Sequence, residues 1–375
     1  MKITDVRILP LAKEVPAGGW ASMPGDNIYT LVEIVTDEGV TGLGSVYTSA
    51  LLVEGALALL RPMLIDELAI EPARVSEKLH QSTFWQGRGS SVTHTVSGID
   101  IALWDIFGKA TGQPVSRLLG GRYRETIRPY ASISMSRPDW TDRLPEVLDR
   151  GFKAVKLGWG RFGRESARTD EDLVKTARDF LGPEIELMVD AGGSGRYWPH
   201  GYKWALETAR MLHRYDVVWF EEPLRPDDLE GYIRLTENAL LHISSCEVFT
   251  RRQSFLPWIE SGAVDIVQPD VTKVGGLTEG LRIATCAYDR SILTVPHGWN
   301  TAVGMVADLH LMAAVPTARW VEYYVPTPFI EDLVAEPFRL DDEGMLQIPD
   351  GPGLAAKWNP DGIRRLSGMD LTPSN

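Results

Sequence analysis

Short apolar runs that end in a polar residue recur along the chain from about residue 125 onward. The run 217–220 leads directly into Glu221 and Glu222, and Pro223 then stops the strand. A continuous apolar run of this kind is typical of a parallel strand that is buried on both faces. Similar runs end at six further polar residues: Lys156, Asp190, Glu247, Asp270, His297 and Glu322.

Consecutive members of this series lie between 23 and 34 residues apart, which leaves room for a loop, a helix and the next strand. Residues 165–180 and 202–213 show the helical pattern expected between strands. With a first strand at 127–133, the series predicts an α/β fold, a (β/α)8-type (modified TIM) barrel. The active sites of such barrels lie at the carboxyl ends of the strands.

The N-terminal part of the chain has a different pattern. Residues 5–10, 29–36 and 40–44 predict an antiparallel meander, and residues 51–120 are predicted to be helical. Strands followed by helices indicate a separate α+β domain.

These patterns divide the chain into three parts. We predict an α+β capping domain at 1–122 and a barrel domain at 123–337. The proline- and glycine-punctuated segment 338–375 is predicted to return to the capping domain and complete it.

Composition narrows the function classes. A hydrophobic content of 44% and a charged content of 24% are those of an ordinary soluble protein. The formal net charge of -13 argues against a nucleic-acid partner. No apolar run approaches the ~20 residues that span a bilayer, and no signal peptide is evident. With only Cys246 and Cys286, a disulfide framework or a thiolate cluster is not expected, and we predict a cytoplasmic location.

Three carboxylates are predicted to meet at the ends of neighbouring strands. Asp190, Glu221 and Glu247 would repel one another unless a cation neutralised them. Oxygen ligands without cysteine or a histidine pair favour Mg²⁺, or Mn²⁺, over Zn²⁺. Glu222 competes with Glu221, but adjacent residues of a strand point in opposite directions, so only one should enter the barrel. Taken alone, each acid could also be a strand-end residue held by a lysine or a helix N-terminus.

Asp270 and His297 come from the next two predicted strand ends. A carboxylate that holds one imidazole nitrogen fixes the tautomer and raises the basicity of the other nitrogen. Lys156 is predicted to close the ring of polar residues. Glu322, if protonated, could donate a hydrogen bond to a developing oxyanion.

Several ordered segments together resemble the enolase superfamily, mandelate racemase subgroup. They are SGIDIALWDIFGKATGQPVSRLLGG, VDAGG, WFEEP, DIVQPDVTKVGG and VPHG, and the resemblance covers essentially the whole chain. The resemblance implies that Asp190, Glu221 and Glu247 are Mg²⁺ ligands and that Asp270 and His297 form the catalytic dyad. It also implies that Lys156 is the first lysine of a Lys-x-Lys pair and that Glu322 is the last-strand acid.

Departures from the family pattern bear on the reaction. The second lysine of the pair is replaced by Gly158, the asparagine common two residues after the first ligand by Gly192, and the glycine common before the third ligand by Cys246. With His297 as the single base, the chain is most similar to acid-sugar dehydratases of the rhamnonate dehydratase type.

The resulting hypothesis is Mg²⁺-dependent β-elimination of water from a sugar acid to a 2-keto-3-deoxy acid. His297 would remove the α-proton, giving a metal-stabilised ene-diolate. The alternatives are a racemase, an epimerase or a sugar-acid lactone cycloisomerase with the same enolate chemistry. More remote alternatives are a sugar-acid-binding protein without catalysis and another metal-dependent barrel hydrolase.

The capping domain is predicted to supply the residues that contact the substrate. We name Trp20, Tyr47 and Arg88 as the substrate-binding candidates, because their loops could approach the barrel mouth. The expected partner is a small anionic sugar acid, and we expect the chain to form a homo-oligomer.

Overall fold

The structure is a computed structural model that describes residues 1–11, 29–136, 138–325 and 327–373. The substrate-binding candidate Trp20 lies outside these described residues. Within them, none of the helices combines the length and the apolar character that a bilayer crossing requires.

The N-terminal part contains a three-stranded antiparallel sheet, followed by helices. The strands pair in the order β1-β2-β3, and buried aliphatic side chains of this sheet pack against the helices. The elements are β1 (Ile3–Leu11), β2 (Tyr29–Thr36), β3 (Thr41–Val46), α1 (Ala50–Leu64), α2 (Pro72–Ser82), α3 (Ser90–Thr111) and α4 (Val115–Leu118), with a 3-10 turn at Phe84–Gln86.

Eight parallel strands with intervening helices follow. The strands are β4 (Thr126–Ser134), β5 (Ala154–Gly158), β6 (Glu186–Asp190), β7 (Val217–Glu221), β8 (His242–Ser245), β9 (Ile266–Val267), β10 (Leu293–Thr294) and β11 (Trp320–Tyr324). The helices are α5 (Arg143–Asp149), α6 (Ala167–Leu181), α7 (Tyr202–His213), α8 (Leu229–Asn238), α9 (Arg251–Ser261), α10 (Gly276–Tyr288) and α11 (Ala302–Ala313), with a 3-10 turn at Trp140–Asp142. The strands pair in chain order from β4 to β10, and β11 pairs with β4, so the sheet curls into a barrel.

Short elements complete the chain after the barrel. They are α12 (Pro328–Glu331), β12 (Leu346–Gln347) and α13 (Pro360–Ser367). Strand β12 pairs with β4, and α13 packs against β1. The backbone N–H of Thr372 donates to Glu33 of β2 at 2.8 Å. The C-terminal segment therefore returns to the first domain, as predicted.

A plug of seven buried side chains fills the barrel below its mouth: Tyr130, Ala154, Met188, Trp219, Ile266, Val295 and Trp320. The indole of Trp219 packs edge-on against Tyr130 and Trp320, each with ring centroids 5.3 Å apart. Side chains alternate along a strand, so the residue two positions after each plug residue also points inward, one layer closer to the mouth. That next layer includes Lys156, Asp190, Glu221, Gln268, His297 and Glu322.

The predicted fold class, a barrel with an α+β capping domain, is confirmed. Three predicted strand ends lie beyond the observed strands: Glu247 lies two residues after the end of β8. In addition, β9 ends at Val267 and β10 at Thr294, three residues before Asp270 and His297. Pro269 and Pro296 interrupt both runs, because proline has no N–H for the strand ladder. The domain boundaries after residues 122 and 337 stay predictions.

Candidate active site

Three carboxylates meet at the barrel mouth. Asp190 and Glu221 are the last residues of β6 and β7, and Glu247 lies two residues beyond β8. One ligand oxygen from each lies within 4.8 Å of the others, and all three side chains are buried. The structure therefore brings together the three acids that the sequence predicts as ligands.

Buried donors hold the two strand-end carboxylates. One oxygen of Glu221 accepts from the Lys156 ammonium at 2.5 Å, and the other accepts from Trp219 Nε1 at 2.9 Å and Gln268 Nε2 at 2.8 Å. Asp190 Oδ1 accepts the backbone N–H of Gly192 at 2.7 Å. These bonds fix the orientation of the carboxylates before any ligand binds.

The electrostatics of the triad fit a divalent cation. Burial, and then the charge of Glu221, raise the pKa of Asp190 well above its ordinary value, although Lys156 opposes the shift. Burial, with Glu322 and Glu247, also raises the pKa of Glu221 against the opposing effect of Lys156. The ammonium of Lys156 is thus insufficient to balance the buried negative charge. An oxygen-only site with surplus negative charge suits Mg²⁺ or Mn²⁺.

Glu222 is also buried, but it is outside the triad. It follows the last residue of β7, and its φ of 44° is in the left-handed region. The alternation of side chains along a strand therefore does not apply to Glu222 and does not predict its direction. Its carboxylate accepts the hydroxyl of Ser194 at 2.5 Å. Burial, and then Glu247 and Asp190, raise the pKa of Glu222 well above its usual range. A fourth buried carboxyl group therefore lies close to the triad without belonging to it.

The imidazole of His297 lies beside the triad. Its Nδ1 is 2.8 Å from Asp270 Oδ2, and its Nε2 is 3.6 Å from Glu247 Oε2. Asp270 is held by the backbone N–H and the hydroxyl of Thr272 at 2.7 and 2.6 Å. This arrangement directs Nε2 toward the triad while Nδ1 donates to Asp270.

Neighbouring charges tune this dyad. Burial and then the ammonium of Lys273 lower the pKa of His297, but Glu247, the bond to Asp270 and Glu322 together raise it above its usual value. Burial raises the pKa of Asp270, yet Lys273 and His297 outweigh it and bring the pKa to about 2. The Lys273 ammonium lies 3.5 Å from Asp270 Oδ2, the same oxygen that holds His297. Asp270 is therefore ionised throughout the neutral range.

Glu322 and Lys156 form a buried ion pair across β11 and β5. Their charged atoms are 3.1 Å apart, and Glu322 also accepts the backbone N–H of Gly298 at 2.7 Å. Burial raises the pKa of Glu322, but Lys156, His297 and the Gly298 N–H lower it more. Without a bound cation or substrate, Glu322 is thus a carboxylate. This ionisation goes against the protonated donor that the sequence analysis required for an oxyanion role.

The substrate-binding candidates Tyr47 and Arg88 lie in different surroundings. The buried ring of Tyr47 lies edge-on to the His297 ring, with centroids 6.0 Å apart, and the Lys273 ammonium sits 4.1 Å from the Tyr47 ring centroid. Arg88 is exposed, and its guanidinium lies over the Phe84 ring. Tyr47 therefore reaches the dyad, whereas contact of Arg88 with a substrate stays a prediction.

Sequence reasoning gave no role to Gln268, Trp219 or Trp159, each of which bonds a triad carboxylate. Gln268 stands two residues before Asp270, so strand alternation could have placed its side chain inward. Trp219 stands two residues before Glu221 and could have been found in the same way. The role of Trp159 has no signal of this kind.

Comparison with protein families assigns both parts of the chain. Residues 16–120 match the family described as mandelate racemase / muconate lactonizing enzyme, N-terminal domain. Residues 139–362 match the family described as enolase C-terminal domain-like. The matches divide the chain into an N-terminal and a C-terminal part, as its structure does.

Similar proteins include two classes of enzyme. The chain is 34% identical to a D-galactarolactone cycloisomerase of Agrobacterium fabrum, over 97% of this chain and 98% of that protein. It is 30% identical to an arabinonate dehydratase of Saccharolobus solfataricus, over 90% and 89% of the respective lengths. The solved structure of a 3,6-anhydro-D-galactonate cycloisomerase from Zobellia galactanivorans superposes with a TM-score of 0.87 at 29% identity, covering 98% of this chain and 99% of that one. The chain therefore belongs to the enolase superfamily, mandelate racemase subgroup.

Proposed function

We propose that the protein is a Mg²⁺-dependent acid-sugar dehydratase, in which His297 removes the α-proton of a sugar acid and the β-hydroxyl then leaves as water. The product is an enol that becomes a 2-keto-3-deoxy acid. The observation that carries this proposal is the position of His297 Nε2, 3.6 Å from a carboxylate oxygen of Glu247. A substrate carboxylate held at the triad would place its α-carbon close to this nitrogen.

When it is neutral, the imidazole has the tautomer that a base requires. Asp270 is ionised and accepts the Nδ1 proton, so neutral His297 carries its lone pair on Nε2. Asp270 also stabilises the imidazolium that forms after proton removal. The base and its orienting carboxylate are both buried, so bulk water has little access to either group.

Asp190, Glu221 and Glu247 are the residues that would hold the cation. Bound there, Mg²⁺ would supply Lewis-acid neutralisation of the negative charge that develops on the substrate carboxylate, an effect worth several kcal/mol. Lys156 adds a buried positive charge on the β5 side of the same region. Its own pKa is lowered by burial but raised more by Glu221 and Glu322, so it stays protonated.

Because His297 is the single base of the proposed site, elimination is favoured over reactions that need a second acid–base residue. At the position of the second lysine the chain has Gly158, which cannot donate or accept a proton through a side chain. The imidazolium of His297 is therefore the group that returns the proton to the departing hydroxyl. This predicts syn elimination.

A lactone cycloisomerase is the second candidate, and the D-galactarolactone cycloisomerase relative supports it. If the leaving β-oxygen belongs to a lactone ring instead of a hydroxyl, the same two steps open the ring without loss of atoms. The net reaction is then an isomerisation. Racemisation receives less support, because it needs a proton donor on the face opposite His297.

The test is a screen with aldonic acids, aldaric acids and aldarolactones in the presence of Mg²⁺, with detection of keto acids. A product lighter than its acid substrate by one water molecule supports dehydration, and a product of unchanged mass from a lactone supports the second candidate. In deuterium oxide, the solvent deuteron should enter the product at the carbon next to the keto group. A panel that gives only epimerised acids would overturn the elimination.

A further inference from the structure

Trp159 follows the last residue of β5 and contacts the candidate metal ligand Asp190. Its backbone N–H donates to the Asp190 carbonyl at 3.0 Å, and its indole Nε1 donates to Asp190 Oδ2 at 2.9 Å. We infer that Trp159, which follows the glycine that stands in place of the family's second lysine, is a positioning residue for the metal site. This inference rests on the metal site of the proposed function.

Two donors fix both oxygens of the Asp190 carboxylate. Oδ1 accepts from the Gly192 backbone, and Oδ2 accepts from the indole. With one lone-pair direction of each oxygen occupied, the carboxylate cannot rotate without losing a bond. A ligand that is held in this way keeps its orientation when the metal dissociates.

Gly158 allows β5 to approach Asp190 closely. A Cβ at position 158 would lie 2.4 Å from the Asp190 carbonyl oxygen and 2.5 Å from the Asp190 Cβ. With the backbone as it is in this chain, a side chain at 158 would collide with Asp190. The close approach of β5 to Asp190 in this chain therefore depends on Gly158.

Gly192 makes room for the indole, and Gly195 lies beside it. A Cβ at Gly192 would lie 2.8 and 2.9 Å from Trp159 ring carbons, and a Cβ at Gly195 would lie 3.4 Å from another. Gly192 also has a φ of 65°, the left-handed region that glycine and asparagine tolerate. The family asparagine would fit this backbone but would collide with the ring. The departures at 158 and 192 thus belong to one arrangement, with Trp159 between them.

The indole lies on the side of the mouth away from the base. Trp159 follows β5, which in the ring of eight strands is separated from β9 by three intervening strands and from β10 by two, β4 and β11. An indole N–H does not titrate in the neutral range, so it cannot reprotonate an α-carbon. The indole therefore holds a predicted metal ligand without offering a group that could return a proton to the substrate.

The test is the affinity for Mn²⁺, measured by calorimetry on the full chain. Trp159→Phe keeps a ring and removes the N–H, and we expect about tenfold weaker Mn²⁺ binding, as is usual for loss of a partner of a ligand. The matched control is Trp104→Phe, which removes an indole bond of 3.0 Å to Thr278 in the capping domain interface. That variant should bind Mn²⁺ as the wild type does.

Gly192→Asn provides an independent variant. It should displace the indole and weaken Mn²⁺ binding by a similar factor, and combining it with Trp159→Phe should add little further loss. Thermal unfolding in the presence of a chelator shows whether each variant is folded. Unchanged Mn²⁺ affinity in folded Trp159→Phe, or no Mn²⁺ binding by the wild type, would overturn the inference. Because Mn²⁺ titration requires no turnover, a failed substrate screen leaves this test intact.

Discussion

The two sides of the barrel mouth differ in how the chain leaves the strands. On the triad side, formed by β5 to β8, each strand is followed within two residues by a left-handed backbone: Trp159, Gly192, Glu222 and Cys246. On the dyad side, formed by β9 to β11, the described residues 264–274 and 292–325 include none with positive φ. A left-handed residue therefore follows each strand on the triad side, whereas none occurs in these two ranges on the dyad side.

This difference in backbone conformation is accompanied by a difference in buried charge. The triad side holds more buried carboxyl groups than its one buried ammonium, Lys156, can balance. Three of its residues other than glycine also adopt a left-handed backbone conformation, which costs of order 1 kcal/mol or more for each. On the dyad side, Asp270 and His297 lie beyond the strand ends but are paired with each other and with further donors. The triad side is therefore electrostatically incomplete without a cation, whereas the dyad side is complete.

The largest expected effect comes from the base. His297→Asn should reduce α-proton exchange by about 10³-fold, the scale of general-base catalysis, because asparagine cannot accept the proton. Mn²⁺ affinity should change by less than about threefold, since His297 is not a predicted ligand. Exchange is measured by NMR in deuterium oxide.

Exposed His213 supplies the control for that variant. His213→Asn should leave both exchange and Mn²⁺ affinity at wild-type values. Equal losses of exchange and affinity in His297→Asn would show that the two sides are not independent.

The second prediction uses the surplus charge of the triad side. The pKa of Asp190 is raised in the folded state, so its contribution to stability is present below its ordinary pKa of 3.8 and is lost as pH rises through the folded value. A divalent cation removes this penalty and also requires ionised ligands. We therefore expect Mg²⁺ to raise the thermal midpoint more at about pH 8 than at about pH 5.

At a Mg²⁺ concentration 100-fold above the dissociation constant, the stabilisation should be about 2.7 kcal/mol. Differential scanning fluorimetry with Mg²⁺ or a chelator measures it. Asp190→Asn should remove most of the gain at both pH values. A gain that is independent of pH in the wild type would contradict the electrostatic account.

The sequence predicted which residues form the triad and the dyad, but not the contacts that other residues make with them. Asp190 and Glu221 could be placed because apolar runs end at them and strand alternation points them inward. The contact of Tyr47 with His297 could not, since it depends on how the capping domain packs on the barrel. The fit of the Trp159 ring against Gly192 likewise depends on two loops meeting in space. The pattern of apolar and polar residues predicts where a residue lies along its strand, whereas these contacts depend on how separate parts of the chain pack together.

The third prediction tests backbone strain at Cys246, where φ is 93°. Cys246→Ala loses the buried thiol and keeps the strain, whereas Cys246→Gly removes the strain as well. We expect the glycine variant to be more stable than the alanine variant by about 1 kcal/mol in denaturant unfolding.

Cys286 offers the matched pair of variants, because it lies inside helix α10. There the order should reverse, with Cys286→Gly less stable than Cys286→Ala by about 1 kcal/mol. If both cysteines gave the helical order, the left-handed residue on the triad side would carry no measurable strain.

The smallest expected effect concerns Lys273, the cation of the dyad side. Its ammonium lowers the pKa of both Asp270 and His297, against the carboxylates that raise that of His297. Lys273→Gln should therefore raise the pKa of His297, so a smaller fraction of the imidazole is neutral at a given pH. The ascending limb of the pH profile of kcat/KM should move to higher pH, and activity near neutrality should fall roughly two- to fivefold. Lys273→Arg keeps the charge and should hold the limb in place. If Lys273→Gln lowered activity by the same factor at every pH, Lys273 would act through packing on Tyr47 instead of through charge, and the dyad side would not depend on its cation.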